Sequence, residues 1–72
     1  MLRNNKNLGL HLKKTSTLKH ISANEMAELL YIPTEYYLSY ENGEKTIYAD
    51  HLFHISKILN VDIRQLINTY LE

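Results

Sequence analysis

At 72 residues the chain has room for one small domain, spanning 1–72, whose core is marginal without compact helical packing or help from a partner surface. The absence of cysteine excludes a disulfide framework and a thiolate metal site, and 44% hydrophobic with 22% charged residues excludes a disordered chain. Net charge is zero, no apolar run approaches the roughly 18 residues of a membrane span, and the N-terminus lacks the apolar stretch of a signal peptide. A cytoplasmic protein with no membrane contact is expected.

Strand-like alternation is absent and helical spacing recurs, which predicts an all-α fold. Leu8 and Leu12 stand four apart and suggest a first helix from about Lys6 to Leu18. Thr15, Ser16 and Thr17 are poor helix formers, so the end of this helix is expected to fray. Ser22-Ala23-Asn24-Glu25 has the S-x-x-E form of a capping box, in which hydroxyl and carboxylate each bond the other residue's backbone N–H. Met26, Ala27 and Leu30 supply the apolar stripe of a short second helix. Pro33 disfavours helical geometry at Ile32 and ends the run.

A third helix is predicted from about Thr34 to Tyr40, with Tyr37 and Tyr40 spaced to enter the core, and Asn42-Gly43 is a turn signal. From Ala49, the residues Leu52, Ile55, Ile58 and Leu59 form the stripe of a fourth helix that ends at Asn60, with Val61 packed beneath. Asp62-Ile63-Arg64-Gln65 reads as a second capping box, opening a fifth helix that carries Leu66, Ile67 and Tyr70.

The charges are segregated along the chain. Residues 1–20 carry Arg3, Lys6, Lys13, Lys14 and Lys19 without an acid, and residues 21–44 carry Glu25, Glu28, Glu35, Glu41 and Glu44 without a base. Two readings stay open. A basic first helix could pair with the acidic second and third, or the molecule could present a dipolar surface that attracts a basic partner.

Taken together, Leu8-Gly9 and Leu12, then Met26-Ala27-Glu28, Ile32, Glu41-Asn42-Gly43, Ala49 through Leu59, Val61, Ile63, Leu66 and Ile67 follow one ungapped pattern. They resemble the Cro/repressor (XRE-type) helix-turn-helix family of bacteria and their phages, and the likeness covers residues 8–67. The resemblance implies a compact five-helix, lambda-repressor-like domain with its motif at about 23–43. It also implies that Thr34, Glu35, Tyr36 and Ser39 on the third helix meet the major groove, while Ala23, Asn24, Asn42 and Lys45 touch phosphates.

Departures from the family pattern sharpen the expectation. Thr34 stands where a long polar reader is frequent, and Ala23 stands where a Gln is usual. Tyr31 occupies the turn position normally held by Gly; a bulky residue at positive φ is costly, so a different turn geometry is expected. Ser16 replaces the Arg that pairs with the Glu41 carboxylate, which suggests that Glu41 is available to an outside cation. Ile47 replaces the Pro that stiffens the loop after the motif.

Two functions follow from the resemblance. The first is an autonomous Cro-like dimer that reads operator DNA through the third helix, with Glu35 accepting from a cytosine amino group. Its obstacle is physical: between Ala23 and Gly43 there is no Lys or Arg, and those side chains supply the phosphate neutralisation that DNA affinity rests on. The second resembles the small modulator or antirepressor proteins of temperate phages. Here the partner is the basic DNA-binding domain of a repressor, met by Glu25, Glu28, Glu35 and Glu44. Tyr36 is expected to be exposed as an apolar anchor, with Tyr31, Tyr40 and Ile47 as further candidates. DNA would then be bound directly only weakly, or within a complex.

Leu66, Tyr70 and Leu71 could pack on a second copy, giving a homodimer, or on the chain's own core, and both readings stay open. His51 and His54 could share a helix face beside Asp50, but zinc requires three or four converging ligands, and no nucleophile has an evident base. A non-catalytic chain without metal or cofactor is expected.

Overall fold

A computed structural model describes residues 5–71, so Arg3 of the charge pattern lies outside it. Its regular structure is five helices: α1 (Asn5–Leu18), α2 (Ala23–Leu30), α3 (Thr34–Glu41), α4 (Ala49–Leu59) and α5 (Ile63–Leu71). Each forms because its apolar residues recur on one side. Leu8 and Leu12 of α1 meet Met26, Ala27 and Leu30 of α2, Tyr37 and Tyr40 of α3, Leu52, Ile55 and Leu59 of α4, and Leu66 of α5 in one buried cluster. Ala27 is fully buried, where its small side chain suits the contact of α2 with α3 and α4.

The chain ends its helices in one recurrent way. His20, Tyr31 and Asn60 all adopt left-handed conformation, with φ of 59°, 59° and 55°. After each, the next residue donates its N–H five residues back, as Ile21 to the Ser16 carbonyl, Ile32 to Ala27 and Val61 to Ser56. The left-handed residues themselves donate to Thr17, Glu28 and Lys57. This pair of bonds is the Schellman arrangement, which satisfies carbonyls that the helix leaves free. Ile21, Ile32 and Val61 then pack on the core, giving each turn its apolar clasp. Gly43, at φ 75°, closes α3 in the same way, with Glu44 N–H bonded to the Ser39 carbonyl.

Three expectations about these ends are corrected. The turn at Tyr31 keeps the left-handed geometry that Gly normally provides, because two backbone bonds and Ile32 hold it there. The end of α1 does not fray before Leu18: the Ser16 and Thr17 hydroxyls both donate to the Lys13 carbonyl, at 3.1 and 2.7 Å, and Ser16 is buried. The opening of α5 is only half a capping box. Asp62 accepts from the Arg64 N–H at 2.9 Å, but its carboxylate is also held by the Arg64 guanidinium rather than matched by Gln65. The box at Ser22 is complete, with Glu25 N–H to Ser22 Oγ at 3.1 Å and Ser22 N–H to Glu25 Oε1 at 3.0 Å. On α5, Leu66 is buried and Tyr70 partly so, whereas Ile67 is exposed.

Both glycines of the chain lie where α1 crosses the end of α3. A Cβ on Gly9 would run into the carbonyl oxygens of Tyr40 and Glu41, and one on Gly43 would meet the backbone of Lys6. α1 and α3 therefore approach backbone to backbone, and this fixes which side of α3 faces outward. Gly9→Ala is expected to destabilise the fold by about 1–3 kcal/mol through this overpacking, read as a lower midpoint in urea unfolding. Tyr31→Gly should do the opposite and stabilise by roughly 1 kcal/mol, because Gly relieves the left-handed strain of an exposed side chain; calorimetry would register a higher Tm.

Candidate functional site

The surface that α2, the turn and α3 present outward is built from two helix starts and one turn. Asn24 and Thr34 open the two helices and are joined directly, the Thr34 hydroxyl donating to Asn24 Oδ1 at 2.6 Å. Ala23 is half-buried against the core and carries no polar group to the surface. α3 begins at Pro33 without a side-chain cap. Thr34, Glu35 and Leu38, one helical turn apart, form the outer stripe of α3, and Asn42 extends it. Leu38 was not singled out by motif comparison, although its four-residue spacing from Thr34 places it there.

Other candidates are turned to internal use. The Ser39 hydroxyl donates to the Tyr36 carbonyl of its own helix at 2.6 Å. Tyr36 is half-buried rather than exposed: its ring meets Tyr40 edge to face at 5.3 Å, and Lys45 Nζ lies 4.8 Å above it. Tyr40 is fully buried and cannot anchor a partner, and Ile47 packs against the core. The Tyr40 hydroxyl is 2.6 Å from His51 Nδ1, which engages that imidazole inside the fold. Among the described residues no three His, Asp or Glu side chains converge as a metal site, and no helix is long and apolar enough to cross a membrane.

Of the tyrosines considered as anchors, Tyr31 is the one that projects, at 93% exposure, with Leu29 half exposed beside it. Glu28 and Glu35 are exposed on the same two helices. Among the described residues the only ion pair is Asp62–Arg64 at 2.9 Å, although Lys13 of α1 pulls electrostatically on Glu41 of α3. No ion pair joins α1 to the exposed acids of α2 and α3 among the described residues.

Glu41 behaves differently from expectation. It is 9% exposed, set inside the α1–α3 contact near Ser16, and is not available to an outside cation. The Tyr37 hydroxyl lies beside the Glu41 carboxyl and the Ser16 hydroxyl but closes no hydrogen bond of good geometry. Burial pushes the Glu41 carboxyl above its ordinary pKa, against the weaker pull of Tyr37 and Lys13. Burial, and then the Glu41 charge, push the Tyr37 hydroxyl upward as well.

A group that holds its proton more tightly when folded adds stability at low pH and loses it as pH rises through the folded value. Glu41→Gln is therefore expected to raise Tm at pH 7. The gain should shrink as pH falls through the carboxylate range, which thermal melts at pH 4 and 7 would measure.

A helix-turn-helix family model matches residues 12–66. Among solved structures, the clp gene regulator ClgR from Corynebacterium glutamicum superimposes with a TM-score of 0.81 at 19% identity, over 93% of this chain and 87% of that one. A second ClgR structure gives a TM-score of 0.84, also at 19% identity, over 93% and 71%. The restriction-modification controller protein C.AhdI from Aeromonas hydrophila gives 0.80 at 21% identity, over 86% and 94%. At these identities the likeness establishes the fold. No curated protein sequence matches significantly.

Proposed function

Because this chain belongs to the helix-turn-helix family of transcription regulators, a non-catalytic group, we propose that it is an antirepressor or modulator of a phage-type lysogeny switch in a bacterial cytoplasm. It binds a partner repressor through the acidic face of α2 and α3 and blocks or alters that repressor's grip on its operator. The observation that carries this reading is the exposure of Glu28 and Glu35 with no ion pair to either among the described residues. Placed against DNA, these carboxylates would face phosphates, with Lys45 and the lysines of α1 at the edge of the footprint to offset the repulsion. Placed against the DNA-binding surface of a repressor, the same charges meet lysines and arginines, which speeds and orients the encounter. Tyr31 and Leu29 supply the apolar contact that charge alone does not.

One observation favours the alternative of a Cro-like dimer that binds operator DNA on its own. The Asn24–Thr34 bond holds two polar side chains together at the paired helix starts, where the family reads bases and phosphates. Exposed Ile67 and Leu71 on α5 would then serve a twofold contact.

Fluorescence anisotropy with duplex DNA from the protein's own control region, with and without the cognate repressor, separates the two. Feeble DNA binding at physiological salt and firm binding to the repressor are expected; tight sequence-specific binding by the protein alone would sink the antirepressor reading. Replacing Glu28 and Glu35 together by Gln should weaken repressor binding about tenfold at low salt. An unchanged affinity would place the contact elsewhere.

A further inference from the structure

A trough on α1 lies away from the face assigned above. Leu10, Lys13, Lys14, Thr17 and Leu18 line a shallow concavity of about 420 Å³ along that helix. Leu10 and Leu18 are 63% and 76% exposed, so the floor is apolar and the rim is cationic. The end of α2 has the reverse character: Tyr31 and Leu29 project from it, and Glu25 and Glu28 are exposed alongside. Within one molecule the two do not meet. α1 packs on α3 and α5, α2 packs on α3 and α4, and no ion pair joins them among the described residues.

We propose that a second copy of this chain fills the trough head to tail, with Tyr31 and Leu29 of one molecule seated on Leu10 and Leu18 of the next. Glu25 and Glu28 then face Lys13 and Lys14 across the contact. Charge complementarity selects this occupant: the chain carries both halves, in equal number, and its net charge of zero leaves no long-range repulsion between copies. Exposed ion pairs contribute little each, so the apolar seat holds the contact and the charges orient it. Because each molecule offers one trough and one projecting end, the contact joins unlike surfaces, and one copy can bridge two others. It also covers Tyr31 and Glu28, so self-association competes with any other partner of that face.

Sedimentation of the protein at rising concentration, in about 50 mM and about 500 mM salt, reads the association directly. The mass-average is expected to climb well above the 8.5 kDa chain at low salt and to fall back at high salt. Lys13→Gln with Lys14→Gln removes the rim, and Glu28→Gln with Tyr31→Gly removes the projecting end. Each variant alone should lose the salt-sensitive association by tenfold or more, with its helical circular dichroism intact. Mixed together the two should associate again, since one supplies an intact trough and the other an intact end.

A mass independent of concentration, or a salt-resistant dimer indifferent to both sets of substitutions, would overturn the proposal. So would binding of a random-sequence DNA duplex that is lost with the lysines while the protein stays monomeric, which would assign the rim to phosphate contacts.

Discussion

The backbone contact between α1 and the end of α3 is the constraint on which the exposed face depends. A side chain at Gly9 would strike the Tyr40 and Glu41 carbonyls, and one at Gly43 would strike Lys6, so the two helices touch only because those positions are bare. That approach drives Tyr37 and Tyr40 inward and leaves Thr34, Glu35 and Leu38 on the opposite side. It also encloses Glu41 with the unpartnered Tyr37 hydroxyl, a polar residue set in the joint rather than offered to solvent. A buried carboxyl with weak compensation opposes folding, and packing around it has to offset that cost.

Surface charge is under no comparable constraint. Core residues and turns specify the helices, and the Glu28 and Glu35 side chains are exposed outside the core. A fold common among DNA-binding regulators can therefore carry an acidic outer face without loss of structure. The step from fold to function must be taken on the face itself. Here that face combines unpaired carboxylates with Tyr31, whose left-handed backbone is held by the turn although its side chain gains almost no burial in return. Strain at an exposed aromatic residue is consistent with a role in contact rather than in folding.

Much of the helical layout was legible in the residues. Ser22 and Glu25 announced the start of α2, Ile32-Pro33 its end, Asn42-Gly43 the turn after α3, and Asn60 the end of α4, because these signals act within a few residues of backbone. The left-handed ends at His20 and Tyr31 were less legible. Neither residue favours that conformation; Ile21 and Ile32 do, by packing on a core assembled from distant parts of the chain. At the candidate site, Asn24, Thr34 and Glu35 were recognisable from motif position. The withdrawal of Tyr36 and Ser39 was not, since it follows from the neighbouring Tyr40 ring and from a hydroxyl bonding its own helix.

The sequence by itself determined the five helices, most of the core and the separation of basic from acidic segments, all of which follow from local propensity, spacing and order along the chain. Only the tertiary structure decided whether those charges neutralise one another. Among the described residues α1 forms no ion pair with α2 or α3, while Lys13 acts electrostatically on the buried Glu41. Tertiary packing likewise decided that Glu41 is enclosed while Tyr31 projects. Burial depends on which helices meet and at what separation, and that was set here by two glycines at one crossing.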